Sequence, residues 1–488
     1  MTAHVAIVTG LSLYTVLMLA VSFYWMRRTR TAAEYLLGGR GLPYWVLTGT
    51  TIGTCIGTGV VVGATGLAYR HGWAGCAYVI GLGLGTLLAG LIFARMREYQ
   101  FMTLGEELAC YFSGNKLVVE FANISIFVSQ LCWLTVQIMG GAAVLSVVTG
   151  YSPALCTVAS GLITAAISLP GGLRSVVYTD FAQAAILLGG FLTLGWIALE
   201  KSGGMAGLGA KVPGAYLSFL GYESFGAGKV FSLILTIVLS TLADSSRRLT
   251  MYSADSVRSA KWSMVTSGLI VIAFSLTIGV AGMYAFTLNP NLPRPDQALP
   301  WLVMNALPAW LAAFVVVSVA SAVFSSANGN AAAAGTFFVR HIYPLVTGRY
   351  AQRPLATVRL ALCCSFVVST AIALNTGSIV GFVIRFLPVT VSGLAVAILL
   401  GRFWPRANWQ GALAALLVTP AVSLLVQFTS ILPGFSDNPI IPASLAGVAA
   451  QIFVTFLFPP AQRSFLQVVE DMNVQRRNIE HPGPAPAR

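Results

Sequence analysis

The feature that most narrows what this chain can fold into is a succession of about thirteen apolar runs, each about 17–25 residues long. Short polar or basic loops separate them. Hydrocarbon offers no water to a backbone N–H or C=O, so a spanning segment must satisfy its own polar groups as a helix or join a closed barrel. Runs of this length, twice what a barrel strand needs, specify helices. The expected fold is therefore an all-α, polytopic membrane protein. Its runs are Val5–Trp25, one holding Gly49–Gly66, Trp73–Phe93, Val118–Val148, Ala154–Leu169, Tyr178–Leu199, Val230–Tyr252, Met264–Phe286, Trp310–Val339, one ending near Asn375, Ile379–Leu400, Gly411–Phe428 and Ile440–Phe458.

Only 9% of the residues are charged, against about 25% in a soluble domain. The net charge of +13 does not point to nucleic acid, because the basic residues fall mostly in alternate short loops. Arg70, Lys201, Lys211, Lys229 and Arg294 lie on the other side, and Arg385 lies within a run. By the positive-inside rule this places the N-terminus outside and the C-terminus in the cytoplasm of a cell's inner (plasma) membrane. The first run lacks a basic leader and reads as a retained helix. The seven cysteines and four histidines are scattered, without metal-ligand spacing. No nucleophile triad, phosphate loop or paired-carboxylate motif occurs, so neither an enzyme nor an organic cofactor is expected. Gly81-x-Gly83-x-Gly85 lies mid-run with no strand before it, which fits helix packing and not a nucleotide loop. Phe465 to Val474 reads as a helical segment of the tail, and the final HPGPAPAR as disordered.

Within the second run, Gly49–Gly66 reads GTTIGTCIGTGVVVGATG. Glycine costs about 1 kcal/mol relative to alanine inside a helix. Two readings stand: close packing through small residues, or a helix that breaks and offers its freed carbonyls to a cation. Ionisable groups inside runs are functional candidates. Asp180 opens the sixth run and is either an exposed N-cap or a working carboxylate. Asp244 either pairs locally with Arg247 or Arg248 or acts on a ligand. Arg385 needs a carboxylate from protein or solute. Ser325-Ser326-Ala327-Asn328-Gly329-Asn330 is dense in hydroxyls and amides for an apolar helix, and such neutral oxygens suit a hard cation. Gln130, Trp133 and Gln137 share about one helix face, suited to a polar ligand or to helix–helix bonding.

Four stretches resemble the sodium:solute symporter family. They are Glu34-Tyr35-Leu36-Leu37-Gly38-Gly39-Arg40-Gly41-Leu42-Pro43; Gly63-x-x-Gly66-x-Ala68-Tyr69-Arg70-x-Gly72; Gly171-Gly172-Leu173-Arg174-Ser175-Val176-Val177-Tyr178-Thr179-Asp180-x-x-Gln183; and Asp296-x-Ala298-Leu299-Pro300 with Ala322-x-x-Ser325-Ser326. The resemblance implies a five-plus-five inverted-repeat core whose first and sixth helices are broken, spanning 41–402. A helix and basic loop precede it (1–40), and two helices (403–459) and a cytoplasmic tail (460–488) follow. It implies a sodium ion, co-transported, on the carbonyls of Gly53, Ile56 and Ala322 and the hydroxyls of Ser325 and Ser326. Asp180 and Asn328 mark a second ion position or the ion's exit, although Asn328 and Gly329 stand where some members carry two hydroxyls. Solute contacts fall by position on Thr54, Cys55, Thr58, Gln130, Trp133, Gln137, Asp244 and Arg385, and Cys55 and Thr250 depart from relatives. The function implied is sodium-coupled import of a small polar solute, with Arg385 pointing to a carboxylate-bearing one such as an amino acid or organic acid. Proton coupling through Asp180 or Asp244, and a membrane sensor that binds solute without moving it, are the alternatives.

Overall fold

The computed structural model describes residues 3–28, 41–349, 351–429, 431–460 and 463–480. The basic loop expected before Gly41, most of the first family-like stretch and the end of the tail lie outside the described residues. The chain is all-helical. Among the described residues the one β-type contact is an isolated bridge between Leu42 and Ala254. Among the described residues ten helices are long and apolar enough to cross a membrane, or up to twelve spans if each of two bent pairs counts as one. The bent pairs are Tyr44–Cys55 with Gly59–His71, turned by 51°, and Ala227–Leu242 with Ser245–Tyr252, turned by 44°.

The fifth and sixth runs differ from expectation. The backbone stays helical from Pro153 to Ser202, 50 residues, where a loop is expected at Pro170-Gly171-Gly172. At 1.5 Å per residue such a helix is about 75 Å long, too long for one crossing of about 30 Å. It contains two apolar stretches, Thr179–Ser202 and the shorter Pro153–Leu169. The side chains of 170–178 lie outside the described residues.

Burial sorts the helices into centre and rim. Of the apolar window in Ala309–Thr347, 72% is buried, against 22% in His4–Tyr24 and 28% in Ile440–Leu457. Ala74–Phe93 and Val257–Leu288 belong to the centre, and glycines set their spacing. A Cβ at Gly83 would stand 2.7 Å from the Gly268 carbonyl, and one at Gly85 2.6 Å from Thr241 Cβ. The Gly81–Gly85 stretch is thus a packing face between Val257–Leu288 and Ala227–Leu242.

The two broken helices are joined at one end. The N–H groups of Gly41 and Leu42 donate to the Ser253 carbonyl at 3.0 Å, and the Asp255 N–H returns to the Leu42 carbonyl at 3.0 Å. Arg97 Nε donates to the Ala254 carbonyl at 2.5 Å. Nearby, Phe465 of the tail helix Phe465–Glu480 packs among Tyr99, Phe101 and Tyr111.

Candidate functional site

Ile56 ends the helix Tyr44–Cys55 with φ −87° and ψ 68°. In an unbroken helix the Thr58 N–H would bond the Thr54 carbonyl and the Val60 N–H the Ile56 carbonyl. Instead Thr58 donates to Gln137 Oε1 at 3.0 Å, and Val60 donates to the Gly57 carbonyl at 3.0 Å. The carbonyls of Thr54 and Ile56 are thereby released from the ladder. The Thr58 hydroxyl adds a bond to the Val136 carbonyl at 2.8 Å. Gly140 makes room for Thr58, since a Cβ there would lie 2.2 Å from Thr58 Cβ. Gly49, Gly53 and Gly57 recur every four residues on one face. A Cβ on them would meet Phe181, Ser325 Oγ with the Asp180 carbonyl, and Ser326 Oγ with Gln137, all at 3.0 Å or less. Packing and breaking are both true of this stretch: one face packs through glycine, and the helix parts where Gln137 takes the Thr58 N–H.

Ser325 and Ser326 reach this break from the central helix Ala309–Phe337. Ser326 Oγ donates to the Thr54 carbonyl at 3.2 Å and lies 3.5 Å from that of Gly53. Ser325 Oγ donates to Asp180 Oδ1 at 2.7 Å. Asp180 is fully buried and its Oδ2 has no hydrogen-bond partner. It is not an exposed N-cap. It sits inside the helix Pro153–Ser202, which presents it to Gly53 and Ser325. Ile56 and Ala322 are also fully buried. Freed carbonyls, two hydroxyls and a carboxylate oxygen without a donor make an oxygen-rich corner suited to a small hard cation. Among the described residues no cluster of three or more histidine, cysteine, aspartate or glutamate side chains exists. Asn328 Oδ1 instead accepts from Ser168 at 2.6 Å.

At the second break Asp244 caps Ser245–Tyr252, its Oδ1 accepting the Ser246 N–H at 2.9 Å. Gln130 Nε2 donates to Ser245 Oγ at 3.0 Å and lies 3.5 Å from Asp244 Oδ1. The local pair is with Arg247, whose Nε is 3.4 Å from Asp244 Oδ2. Arg248 turns the other way. It meets Glu107 at 3.4 Å, donates to the Leu242 carbonyl at 3.2 Å and stacks 3.3 Å above the Phe93 ring. The hydroxyls of Tyr111 and Tyr252 both bond the Glu107 carboxylate.

Between the two breaks lies a small cavity of about 20 Å³. That is room for about one water, so solute entry requires the helices to move apart. Thr54, Cys55, Trp133, Gln137 and Asp244 line the cavity, with Arg247 and Asn330. Thr58 and Gln130 stand behind the wall, bonded to Gln137 and Asp244. Arg385 is not brought here. Val383 and Leu387, two residues to either side, are buried, so Arg385 occupies the opposite face of Ile379–Phe403. Its side chain is 62% exposed and 3.9 Å from Asp437. Arg247 is a charged cavity-lining residue that the sequence does not single out as a solute contact. Its signal is its place three residues after Asp244, which directs both side chains to one side of a helix.

Comparison with known proteins gives a consistent picture. A family model for the sodium:solute symporter family matches residues 35–419. A sodium/pantothenate symporter of Haemophilus influenzae is 25% identical over 459 residues, covering 88% of this chain and 92% of the relative. A sodium/glucose cotransporter 4 of Danio rerio is 23% identical, covering 93% of this chain and 76% of the relative. Among solved structures, a substrate-bound, outward-open Na+-coupled sialic acid symporter superimposes with a TM-score of 0.78 at 19% identity, covering 94% of this chain and 98% of that one.

Proposed function

The chain belongs to the sodium:solute symporter family, and from that premise we propose that it couples inward sodium flow to import of a small polar solute. Members of the family are sodium-coupled transporters and not enzymes. The proposed ion position uses the carbonyls of Gly53, Ile56 and Ala322 and the hydroxyls of Ser325 and Ser326, with Asp180 and Asn328 toward the ion's exit. The observation that carries this reading is the Ser326 hydroxyl on a carbonyl released by the first break. The solute position is the adjacent cavity, and the solute is a carboxylate-bearing one such as an amino acid or organic acid. An ion and a solute that both settle at one helix break stabilise the same arrangement, and linkage makes that coupling reciprocal. Each inward sodium gains about 2.3 kcal/mol per 100 mV of membrane potential. In this reading 41–402 form a ten-helix core in the inner (plasma) membrane, N-terminus outside and C-terminus in the cytoplasm.

The test is thermal stabilisation of the purified chain by amino acids, short organic acids, pantothenate, sialic acid, glucose and myo-inositol, each with sodium and with choline. A solute that stabilises only with sodium, and that is taken up into proteoliposomes under a sodium gradient, is the expected outcome. If no solute shows sodium-dependent stabilisation or uptake, the reading fails. The unpartnered Oδ2 of buried Asp180 favours one second reading, in which a proton replaces sodium. Uptake in choline that rises as external pH falls would establish it.

A further inference from the structure

We infer that Arg247 and Gln137 are the residues that select the solute, and that they select it by its carboxylate; this rests on the symport reading above. The argument starts from hydrogen-bond valence. A backbone N–H can only donate, so the Thr58 N–H fixes the Gln137 amide with Oε1 toward Thr58. The Gln137 NH2 is left as the free end beside Gly57 on the cavity wall. Arg247 is 6% exposed and carries five donors. Its Nη1 donates to Cys55 Sγ at 2.9 Å, and sulfur is a weak acceptor. Its Nε lies 3.4 Å from Asp244 Oδ2 yet makes no hydrogen bond. Asp244 cannot turn further toward it, because Oδ1 is held as the cap of Ser245–Tyr252.

Beside the Asp244 carboxylate the cavity wall thus offers unfilled donors on Arg247 and Gln137, and a planar, bidentate acceptor is what a guanidinium fork matches best. Two helices, Gly59–His71 and Ser245–Tyr252, also begin at this wall, and the positive end of a helix dipole favours an anion. Charge explains why such a solute needs the ion. Asp244 and Arg247 already neutralise each other. A carboxylate entering alone would add a buried negative charge, and a sodium entering at the same break offsets one such charge. Arg385, 62% exposed on the far face of its helix, has no part in this.

The test compares each carboxylate of the panel above with its own primary amide on the full chain, by sodium-dependent thermal shift and by uptake. The acid is expected to bind at least about tenfold more tightly than its amide. Arg247→Gln should abolish that preference. Because Arg247→Gln can fail to fold, Gln137→Glu serves as the second variant. It keeps the oxygen that Thr58 bonds and replaces the free NH2 by a carboxylate oxygen. It should lose the acid's stabilisation while still unfolding in one cooperative thermal transition. The inference is overturned, with symport intact, if a neutral sugar or polyol is the sodium-dependent solute. It is also overturned if acid and amide bind alike, or if Gln137→Glu leaves the acid's affinity within about twofold. Absence of any sodium-dependent solute removes the symport reading itself and this inference with it.

Discussion

Ser325 donates its hydroxyl to one oxygen of Asp180 at 2.7 Å, while the other oxygen of that carboxylate is buried without a donor. The pair joins the central helix to the helix Pro153–Ser202 at the point where Gly53 lets both come close. A hydrogen bond to a charged group contributes about 1.5–3 kcal/mol. Ser325→Ala and Asp180→Asn should each weaken apparent sodium affinity by about 10- to 100-fold, read as the sodium concentration giving half-maximal uptake. Unchanged sodium dependence in both would remove the assigned ion position.

Gly140 is the close approach that lets Thr58 leave its helix. Gly140→Ala places a methyl 2.2 Å from Thr58 Cβ, and overpacking of this kind costs about 1–3 kcal/mol. The variant should unfold at lower temperature in detergent and lose uptake more than it loses stability, because the break itself is displaced.

Glu107 and Arg248 are both essentially inaccessible, at 0% and 1% exposure. Removing one partner leaves an uncompensated buried charge, at a cost of about 3–5 kcal/mol. Glu107→Gln should lower the thermal midpoint strongly. The double variant Glu107→Gln/Arg248→Met, which keeps an acceptor for Tyr111 and Tyr252, should recover most of it. A double variant no more stable than Glu107→Gln would show that the loss comes from the missing ion pair and not from the charge left buried alone.

Asp296, in the short turn before the helix Ala298–Ala306, accepts the Ile379 N–H at 2.9 Å. Burial nevertheless pushes its carboxyl up from 3.8 to about 6. The folded protein thus holds this proton more tightly than the unfolded chain does. The stabilisation is complete below about pH 4 and is lost as pH rises through about 6. Asp296→Asn keeps an acceptor for Ile379 and should abolish this part of the pH dependence. Midpoints measured from pH 4 to 7 should fall in the parent and stay flatter in the variant.

Arg385→Ala should leave solute affinity unchanged and shift stability by less than about 1 kcal/mol, as exposed ion pairs do. A binding assay of the panel solutes on this variant checks it.

Much of the site was legible before the fold. Gly49–Gly66, Thr179-Asp180 and Ser325-Ser326 stand out because glycines and polar groups are costly in apolar runs, and these three distant segments do meet. Asp180 was ambiguous because Pro170-Gly171-Gly172 has the composition of a loop, which would leave Asp180 at a helix start. Arg385 was misplaced for a different reason. Apart from Arg385 itself the residues from Ile379 to Leu387 are apolar all round, so no periodicity tells which face Arg385 occupies. Glu107 lies between the third and fourth apolar runs, and its burial is accounted for by Arg248, 141 positions away, together with the hydroxyls of Tyr111 and Tyr252.

The bridge between Leu42 and Ala254 bears on motion. The backbone bonds from Gly41, Leu42 and Asp255 fasten the start of one short half-helix to the end of the other. Each such bond adds about 0.5–1.5 kcal/mol, so together they resist separation. Tyr44–Cys55 and Ser245–Tyr252 are in effect two blades on a common handle. For one to swing without the other, the hydrogen bonds of that handle would have to break.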